Sequence, residues 1–459
     1  MPDDRGATEA TTKFAEVASF IREIAFADLP SDVALQATRC LLDLIGVAAA
    51  GTRTRASGIA RSYAASQLCG RDETARILFD GRRAGIAGAA FAGASTIDAV
   101  DGHDGHALTK GHAGVAIFPA LLALCDGAKR QPAIDGREFL TCLALGYEIA
   151  TRAGIAQHAT VPDYHCSGSW NSVGCAAVAG RFLSFDDARI REALGIAEYF
   201  GPRGQMLRTC DSPSMVKDAS GWGAHVGITA AWLAREGFTG APALTVESLD
   251  AKQYWTDLGT RWRIREQYFK AYPVCRWAQP AVEGAIALQR EHGFTAEDIA
   301  QISIETFREA VALGSQCSVP KTTDEAQYSL PYPVAAMLVF GRVGAEEIDV
   351  PKLADARVRR LLGVMALTES VEYSRMFPAE RWARVEITLN DGRKLASEPA
   401  RSRGNPENPL ADEELRSKYF EFAAPVLGRS RAQRIERLVD ELRHGDALVQ
   451  LLDEILQSA

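Results

Sequence analysis

The spacing of apolar residues predicts helices over most of the first 262 residues. Behind Ser31 and Asp32, apolar side chains recur every three or four positions as far as Gly51, which is typical of a helix with a buried face. Similar spacing, or runs of small apolar residues, predicts further helices at residues 86–100, 114–126, 138–156 and 219–236. Small residues on several faces indicate that these helices are buried among other helices.

The pattern changes near residue 263. Residues 299–307 alternate between apolar and polar side chains, and residues 382–397 predict a hairpin around the turn Asn390-Asp391-Gly392. Helical spacing returns at residues 275–290, 325–341 and 351–364. We therefore predict a smaller α+β domain at residues 263–404. The charged helical tail, residues 410–459, is expected to return to the first domain.

Composition and charge exclude several classes of protein. With 47 % hydrophobic and 24 % charged residues, the chain is too apolar to be disordered. It has no apolar run of 18 residues and no apolar signal segment behind its polar first five residues, so we expect a cytoplasmic protein without a membrane span. The net charge of −8 and the lack of a long basic run argue against a nucleic-acid partner.

The nine cysteines do not form a metal motif. No two of them have Cys-x-x-Cys spacing, so the sequence shows neither a zinc ribbon nor an iron–sulfur pattern. We expect buried, reduced thiols. The cysteines are Cys40, Cys69, Cys125, Cys142, Cys166, Cys175, Cys210, Cys275 and Cys317.

One glycine-rich segment collects acidic, basic and imidazole side chains. It contains Asp101, His103, Asp104, His106, Lys110 and His112. The glycines predict a loop, and a helix is expected to begin just after His112, where free backbone N–H groups would suit a carboxylate or phosphate. We interpret the segment as an anion-binding, acid/base loop. A solvated polar turn and a metal site are the alternatives.

Four further segments carry candidate groups. They contain His165 (163–170), Lys217 (215–222), Lys270 and Arg276 (269–280), and Tyr332 (326–333). From its own segment, His165 is equally compatible with helix capping and catalysis. Lys217, taken alone, is more typical of a solvated helix entry than of a functional group. The sequence lacks a glycine-rich dinucleotide loop, a phosphate loop and a Gly-x-Ser-x-Gly elbow. Acid/base chemistry by histidine and lysine, without a cofactor, is what remains.

Taken together and in order, these segments resemble the MmgE/PrpD family. The matching pieces are ATRCLLDLIGVAAAG, the aspartate-rich segment that ends in GHAG, the Tyr164-His165 segment, Lys217 with GWGAHVGITAAWLAREGFTGAP, FKAYPVC and AQYSLPY. The resemblance implies a mainly α fold, in which residues 1–262 and 405–459 form a large all-helical domain and residues 263–404 form an α+β lid domain. It also implies a homodimer and an active site between the two domains.

The resemblance also implies which residues act. The catalytic set would be Asp101, His112, His165, Lys217, Lys270 and Tyr332, with His103, Lys110, Cys275 and Gln279 as substrate-binding neighbours. No cofactor or metal is implied. The substrates would be small polycarboxylates, and the shared step is making or quenching a carbanion next to a carboxylate.

Each member of this set has an expected part in that step. His165 or His112 would serve as base and acid, and Lys217 and Lys270 would hold the negative charge. Tyr332 would donate a proton or orient the substrate. Asp101 would fix a histidine tautomer by accepting its N–H.

Departures from the family pattern influence the choice of reaction. Many members carry a histidine where this chain has Gln279, and in decarboxylase-like members the position of Cys275 can be histidine. A hydro-lyase is therefore the leading hypothesis, with a dicarboxylate epimerase or a cis-aconitate-type decarboxylase as alternatives. A metal-dependent hydrolase built on the Asp/His loop and an inactive binding or scaffold protein are the hypotheses from other classes.

Overall fold

The computed structural model describes residues 4–128, 134–315 and 319–459, and it is 59 % helical with 9 % strand. This confirms the mainly α class. The helices before residue 263 are α1 Asp4–Glu23, α2 Ser31–Gly51, α3 Arg55–Gln67, α4 Ile86–Asp98, α5 Gly114–Gly127, α6 Gly136–Thr160, α7 Gly168–Phe182, α8 Asp187–Phe200, α9 Leu207–Asp211, α10 Ser220–Arg235 and α11 Leu244–Glu247.

The remaining helices follow in the second half of the chain. They are α12 Gln279–His292, α13 Arg308–Ser315, α14 Thr323–Gln327, α15 Pro331–Phe340, α16 Val350–Leu353, α17 Ala356–Gly363, α18 Val371–Met376, α19 Asp412–Leu427, α20 Arg429–Glu441 and α21 Leu448–Ile455. The strands are β1 Thr74–Arg76, β2 Arg83–Gly85, β3 Gly105–His106, β4 Gln267–Tyr268, β5 Ile299–Thr306, β6 Met365–Glu369, β7 Trp382–Leu389, β8 Lys394–Ala396 and β9 Ala400–Arg401.

The first of two hydrophobic cores is built from helices α1–α8 and α10, and the last three helices pack into the same core. Helix α19 lies along α2, so residues far apart in sequence share this core. The predicted role of small residues is visible between α7 and α10. A Cβ on Gly227 would lie 2.4 Å from Cβ of Cys175, which means that only glycine permits this close approach.

The second core surrounds a five-stranded mixed sheet. The sheet order is β6-β5-β7-β8, with β9 paired to β7; β5 and β6 are parallel, and the other pairs are antiparallel. The predicted hairpin is present, because β7 and β8 pair around the turn and Gly392 has a φ of +90°. Helices α12, α15 and α17 supply buried apolar residues to this core. Its assignment as a lid stays a prediction.

Two details differ from the sequence-based expectation. The predicted helix at 325–341 is divided into α14 and α15, because Pro331 begins a new helix at its first turn, where its missing N–H costs nothing. The first half of the chain is also not wholly helical. It contains the pair β1–β2 and strand β3, which pairs with β4 and aligns Gly105 with Tyr268.

One described helix, α2, is long and apolar enough to cross a membrane by length and composition alone. It is 83 % buried inside the fold, and its neighbours are α4, α6 and α19, which is typical of a core helix. The expected burial of the cysteines holds for Cys40, Cys142, Cys166, Cys175 and Cys210. Cys125 and Cys275 are half-buried, Cys69 is exposed, and Cys317 lies outside the described residues.

Candidate active site

A small cavity lies where the two cores meet, and half of the ten predicted residues line it. Of the predicted residues, Asp101, Lys110, His112, Lys270 and Cys275 line this cavity. The other lining residues come from both sides of the interface: Tyr164, Met206, Cys210, Asp218, Tyr268, Arg276, Trp277, Tyr328 and Arg381. Both cations and carboxylates therefore face one enclosed space.

The backbone around this cavity adopts an unusual conformation. Asp101, Lys110, Lys217 and Ala219 have φ values of +54°, +49°, +51° and +56°, in the left-handed region that side chains disfavour. Only three other non-glycine residues in the described chain share it. Such conformations concentrate at functional sites, where the surrounding structure holds them in place.

His112 is held as a neutral base. Its Nδ1–H donates to the backbone carbonyl of Asp104 at 2.5 Å, so Nε2 carries the lone pair. Burial and the positive charge of Lys270 hold the pKa of His112 well below its usual range. This corrects the expected role of Asp101, because the tautomer is fixed by a carbonyl group instead.

Asp101 pairs with Lys270. The Lys270 ammonium lies 2.5 Å from Asp101 Oδ1 and donates to the Asp101 carbonyl oxygen at 2.9 Å. Burial alone would lower the pKa of Lys270, but the adjacent carboxylate outweighs burial and raises it. The site thus contains a permanent cation within its buried wall.

Lys217 is buried, which contradicts its interpretation as a solvated helix entry. Its ammonium lies 2.6 Å from Asp324 Oδ1, donates to Gln327 Oε1, and sits 5.3 Å from the centre of the Tyr328 ring. Gln327 in turn donates to the carbonyl of Ala99 at 2.9 Å. Lys217 therefore connects the first core to α14 behind the cavity wall, while Tyr328 faces the cavity.

Two buried carboxylates near His112 were not predicted. Asp218 Oδ2 lies 3.7 Å from His112 Nε2, and Asp218 accepts hydrogen bonds from Ser167 N and Oγ at 2.9 Å each. Burial and neighbouring carboxylates raise the pKa of Asp218 to about 6 and that of Asp98 to about 7. Both groups therefore exchange protons near neutral pH. Asp218 directly follows Lys217, so the sequence pointed to this segment but did not predict a role for Asp218.

His103 packs against His112 with ring centroids 4.4 Å apart. Both of its ring nitrogens are buried and lack a hydrogen-bond partner among the described residues, and Nε2 lies 4.0 Å from Asp98 Oδ1. Burial, followed by the interaction with the neighbouring His112 imidazole, holds the pKa of His103 well below its usual range. His103 is thus an uncharged ring that packs against the proposed base, His112.

Asp101, His103 and His112 also satisfy the geometry of a metal site, since one potential ligand atom from each lies within 4.8 Å of the others. Two imidazoles and a carboxylate are suitable donors for a divalent transition metal. However, Lys270 already lies against the Asp101 carboxylate, and a metal ion there would be repelled by the ammonium charge.

Besides Lys217 and His103, three further predicted residues do not line the cavity. His165 is buried but forms a bridge with Gln205, and burial lowers its pKa. Tyr332 lies in the second core and donates its hydroxyl proton to the Glu347 carbonyl.

Gln279 is the third of these residues. Its Nε2 donates to the carbonyls of Tyr272 and Val274 at 3.0 and 3.1 Å, and its Oε1 accepts from Arg276 at 2.8 Å. These hydrogen bonds stabilise the turn that carries Cys275, and Gln279 does not line the cavity.

The sequence carried no signal for two wall residues, Tyr268 and Arg381. Tyr268 lies on β4 and pairs with Gly105 in β3, so the two short strands join the Asp/His loop to the segment of Lys270. Arg276 was noted as a cation in its segment. It is buried, donates to Asn405 Oδ1 at 2.5 Å, and burial lowers its pKa to about 10.

Two family profiles match successive parts of the chain. Residues 15–253 match the profile of the MmgE/PrpD N-terminal domain, and residues 272–444 match that of the MmgE/PrpD C-terminal domain. The chain belongs to the MmgE/PrpD family.

The similar proteins that have a named activity are distant in sequence. A cis-aconitate decarboxylase-like protein of Aspergillus oryzae is 24 % identical, over 95 % of this chain and 96 % of that protein. The cis-aconitate decarboxylase of Homo sapiens is 25 % identical, over 93 % and 90 % of the two chains. A 2-methylcitrate dehydratase of Cupriavidus necator is 27 % identical, over 60 % of this chain and 62 % of that protein.

Proposed function

We propose that this protein is a cofactor-free lyase, in the first place a hydro-lyase, that acts on a small di- or tricarboxylate. The observation that carries the proposal is His112, a neutral imidazole whose Nε2 lone pair is set by the Nδ1–H bond to Asp104. It lines a cavity together with the ammonium of Lys270 and the carboxyl group of Asp218. A base, a fixed cation and a proton donor are the three groups that the reaction needs.

The proposed steps use these groups as follows. His112 Nε2 removes the proton from the carbon next to a substrate carboxylate, and Lys270 stabilises the charge that develops on the carboxylate oxygens. The bond between the neighbouring carbon and its hydroxyl group then breaks. Protonated Asp218 gives its proton to the departing oxygen, which leaves as water, and a carbon–carbon double bond remains.

The relatives with named activities support this class of reaction, but they do not distinguish a dehydratase from a decarboxylase. Dehydration and decarboxylation of a polycarboxylate both pass through a carbanion next to a carboxylate, so the same base and cation serve both. Epimerisation uses that carbanion with return of the proton to the other face. A metal-dependent hydrolase is a weaker candidate, because Lys270 competes for the Asp101 carboxylate.

Turnover followed by NMR in deuterated water tests the proposal. We would incubate the protein with citrate, 2-methylcitrate and cis-aconitate, and record alkene formation, carbon dioxide release and deuterium incorporation. Loss of water with a new alkene supports a hydro-lyase. Carbon dioxide release would reassign the protein as a decarboxylase, and deuterium exchange with inversion but no alkene would make it an epimerase.

A variant pair tests the base. We expect His112→Gln to lower kcat by ~10²–10⁴, the usual contribution of a general base. The exposed His292 on α12 provides the matched control, and His292→Gln should leave kcat unchanged. A His112→Gln variant with normal folding and kcat within threefold of the wild type would contradict the assignment.

We also propose that the chain forms a homodimer. An aromatic cluster in the first half supports this proposal, because Tyr63 and Trp222 are 41 % and 45 % exposed and both pack on Phe91. Light scattering during gel filtration measures the mass. A monomer at micromolar concentration would contradict the proposal.

A further inference from the structure

Arg381 is a buried cation without a hydrogen-bond or ion-pair partner among the described residues. It directly precedes β7, is 8 % exposed and lines the cavity. Its guanidinium carbon lies 5.9 Å from the ring centres of both Tyr268 and Phe377. Its Nε is buried and unbonded, and no carboxylate of the described chain lies within ion-pair distance.

This lack of a partner is unusual within the protein. Four other buried arginines, Arg152, Arg181, Arg263 and Arg276, each donate to carboxylate, carbonyl or amide oxygens. A buried charge without compensation carries a large desolvation cost. A guanidinium that is kept buried at a cavity wall is therefore suited to an anion that enters the cavity.

A second cation lies nearby. The ammonium of Lys110 is 4.5 Å from the centre of the Tyr164 ring, lines the same cavity, and forms no ion pair within the described chain. Burial lowers the pKa of Lys110, and the positive charge of Arg381 lowers it further, while the Glu309 carboxylate opposes both effects. Lys110 belongs to the Asp/His loop and Arg381 to the second core.

Arg381 and Lys110 differ from Lys270 in that no ion pair within the described chain occupies their charged groups. Lys270 is already bonded to Asp101 and lies beside His112, so its charge serves the reacting end of the substrate. Neither Arg381 nor Lys110 forms an ion pair within the described residues, although the Glu309 carboxylate lies near enough to act on Lys110. The planar fork of an arginine also pairs with a carboxylate through two parallel hydrogen bonds, which gives direction as well as charge.

We propose that Arg381, with Lys110, forms a subsite for a second carboxylate of the substrate, apart from the carboxylate next to the reacting carbon. The subsite makes the enzyme selective for molecules with at least two carboxylates. This inference rests on the proposed function, and it adds the residue that sets the substrate class.

Binding of unreactive acids to the full-length protein tests the subsite. The probes are succinate, propane-1,2,3-tricarboxylate and succinamate, in which an amide replaces one carboxylate, and titration calorimetry gives Kd. We expect the two polycarboxylates to bind at least tenfold more tightly than succinamate. Equal affinity for succinate and succinamate would overturn the proposal.

Variants of Arg381 locate the effect. Arg381→Met should weaken polycarboxylate binding by ~10–100-fold, as for loss of a charged hydrogen-bonded pair, and Arg381→Lys should weaken it less. Arg384 is exposed on β7, the strand that Arg381 directly precedes. Arg384→Met is therefore the control and should bind polycarboxylates as the wild type does. Binding by Arg381→Met within twofold of the wild type would refute the subsite.

Two measurements separate this role from structural support. Without ligand, Arg381→Met should melt at or above the wild-type temperature, because it removes an uncompensated buried charge. A large fall in melting temperature for both Arg381→Met and Arg381→Lys would instead show a structural role. With substrate, Arg381→Met should raise KM far more than it lowers kcat.

The subsite and the proposed function can fail separately. If no acid is turned over but polycarboxylates bind and require Arg381, the proposed function fails and the subsite stands. If turnover occurs and Arg381→Met leaves both KM and Kd unchanged, the proposed function stands and the subsite fails.

Discussion

The ion pair between Lys418 and Asp43 offers the sharpest test of how the site is supported. Lys418, on α19, lies 2.6 Å from Asp43 Oδ1 on α2 and also donates to the carbonyl of Gly102 at 2.6 Å. The two side chains are only 7 % and 1 % exposed. Gly102 lies between Asp101 and His103, so one ammonium group holds both the core helix and the Asp/His loop.

Substitution Lys418→Met removes one partner of this buried pair. The Asp43 carboxylate is then left without a cation, and breaking such a pair costs about 3–5 kcal/mol of unfolding free energy. The double variant Asp43→Asn/Lys418→Met has no stranded charge, so we expect it to recover at least half of that loss. Lys394→Met, at an exposed position on β8, controls for the loss of a surface lysine.

The effect should depend on pH in a defined direction. Burial already raises the pKa of Asp43, despite the opposing effect of Lys418, and removal of Lys418 raises it further. A carboxyl group whose pKa is higher in the folded than in the unfolded state binds its proton preferentially in the folded state, so stability falls as pH rises. The deficit of Lys418→Met should therefore be small near pH 4–5 and grow until the raised pKa is passed.

Urea unfolding followed by circular dichroism, at pH 5 and pH 8, measures these differences. The reasoning would be refuted by a loss below 1 kcal/mol for Lys418→Met at pH 8. It would also be refuted by a double variant less stable than the single one, or by a deficit that shrinks as pH rises.

Three further predictions follow from the site. A plot of kcat/KM against pH should be bell-shaped. His112 must be deprotonated and is active above its lowered pKa, whereas Asp218 must be protonated and is active below about pH 6. A kcat/KM that increases steadily up to pH 9 would contradict these roles. Dialysis against a strong chelator should leave turnover unchanged, and loss of activity restored by a divalent metal would revive the metal-site alternative. Gly114→Ala should destabilise the protein and lower activity, since its Cβ would lie 1.8 Å from the hydroxyl of Tyr147. Gly58→Ala on α3 meets nothing within 4 Å, so thermal unfolding should show no loss of stability and, because alanine favours a helix over glycine, a gain of up to about 1 kcal/mol.

The helices were predictable because their signal is local. Apolar spacing placed α2 at the residues where the structure has it, and alternation located β5 and the β7–β8 hairpin. The pairing of β5 with β6 in parallel, across more than 60 residues, leaves no such mark. The same holds for the short β3–β4 pair, which is set by tertiary contacts.

The candidate site shows a similar division. Asp101, His112 and Lys270 were predicted from residue type and family resemblance, and the structure brings them together at one cavity. Tyr332 was predicted in the same way, yet its hydroxyl group is bonded to a carbonyl in the second core. Arg381 was missed, because an arginine before a strand resembles any surface arginine until its burial is known.

The Asp43–Lys418 pair has a consequence for how the protein is made. The two residues are separated by 375 positions, so a chain that emerges from the ribosome carries Asp43 without its cation through most of its synthesis. Until Lys418 has been synthesised, the Asp43 carboxylate is more stable in water than in the apolar core, so the segment of α2 around Asp43 stays hydrated. The Asp/His loop lacks one of its anchors over the same period. Fragments that stop before α19 therefore lack both the cation that balances Asp43 and one anchor of the Asp/His loop.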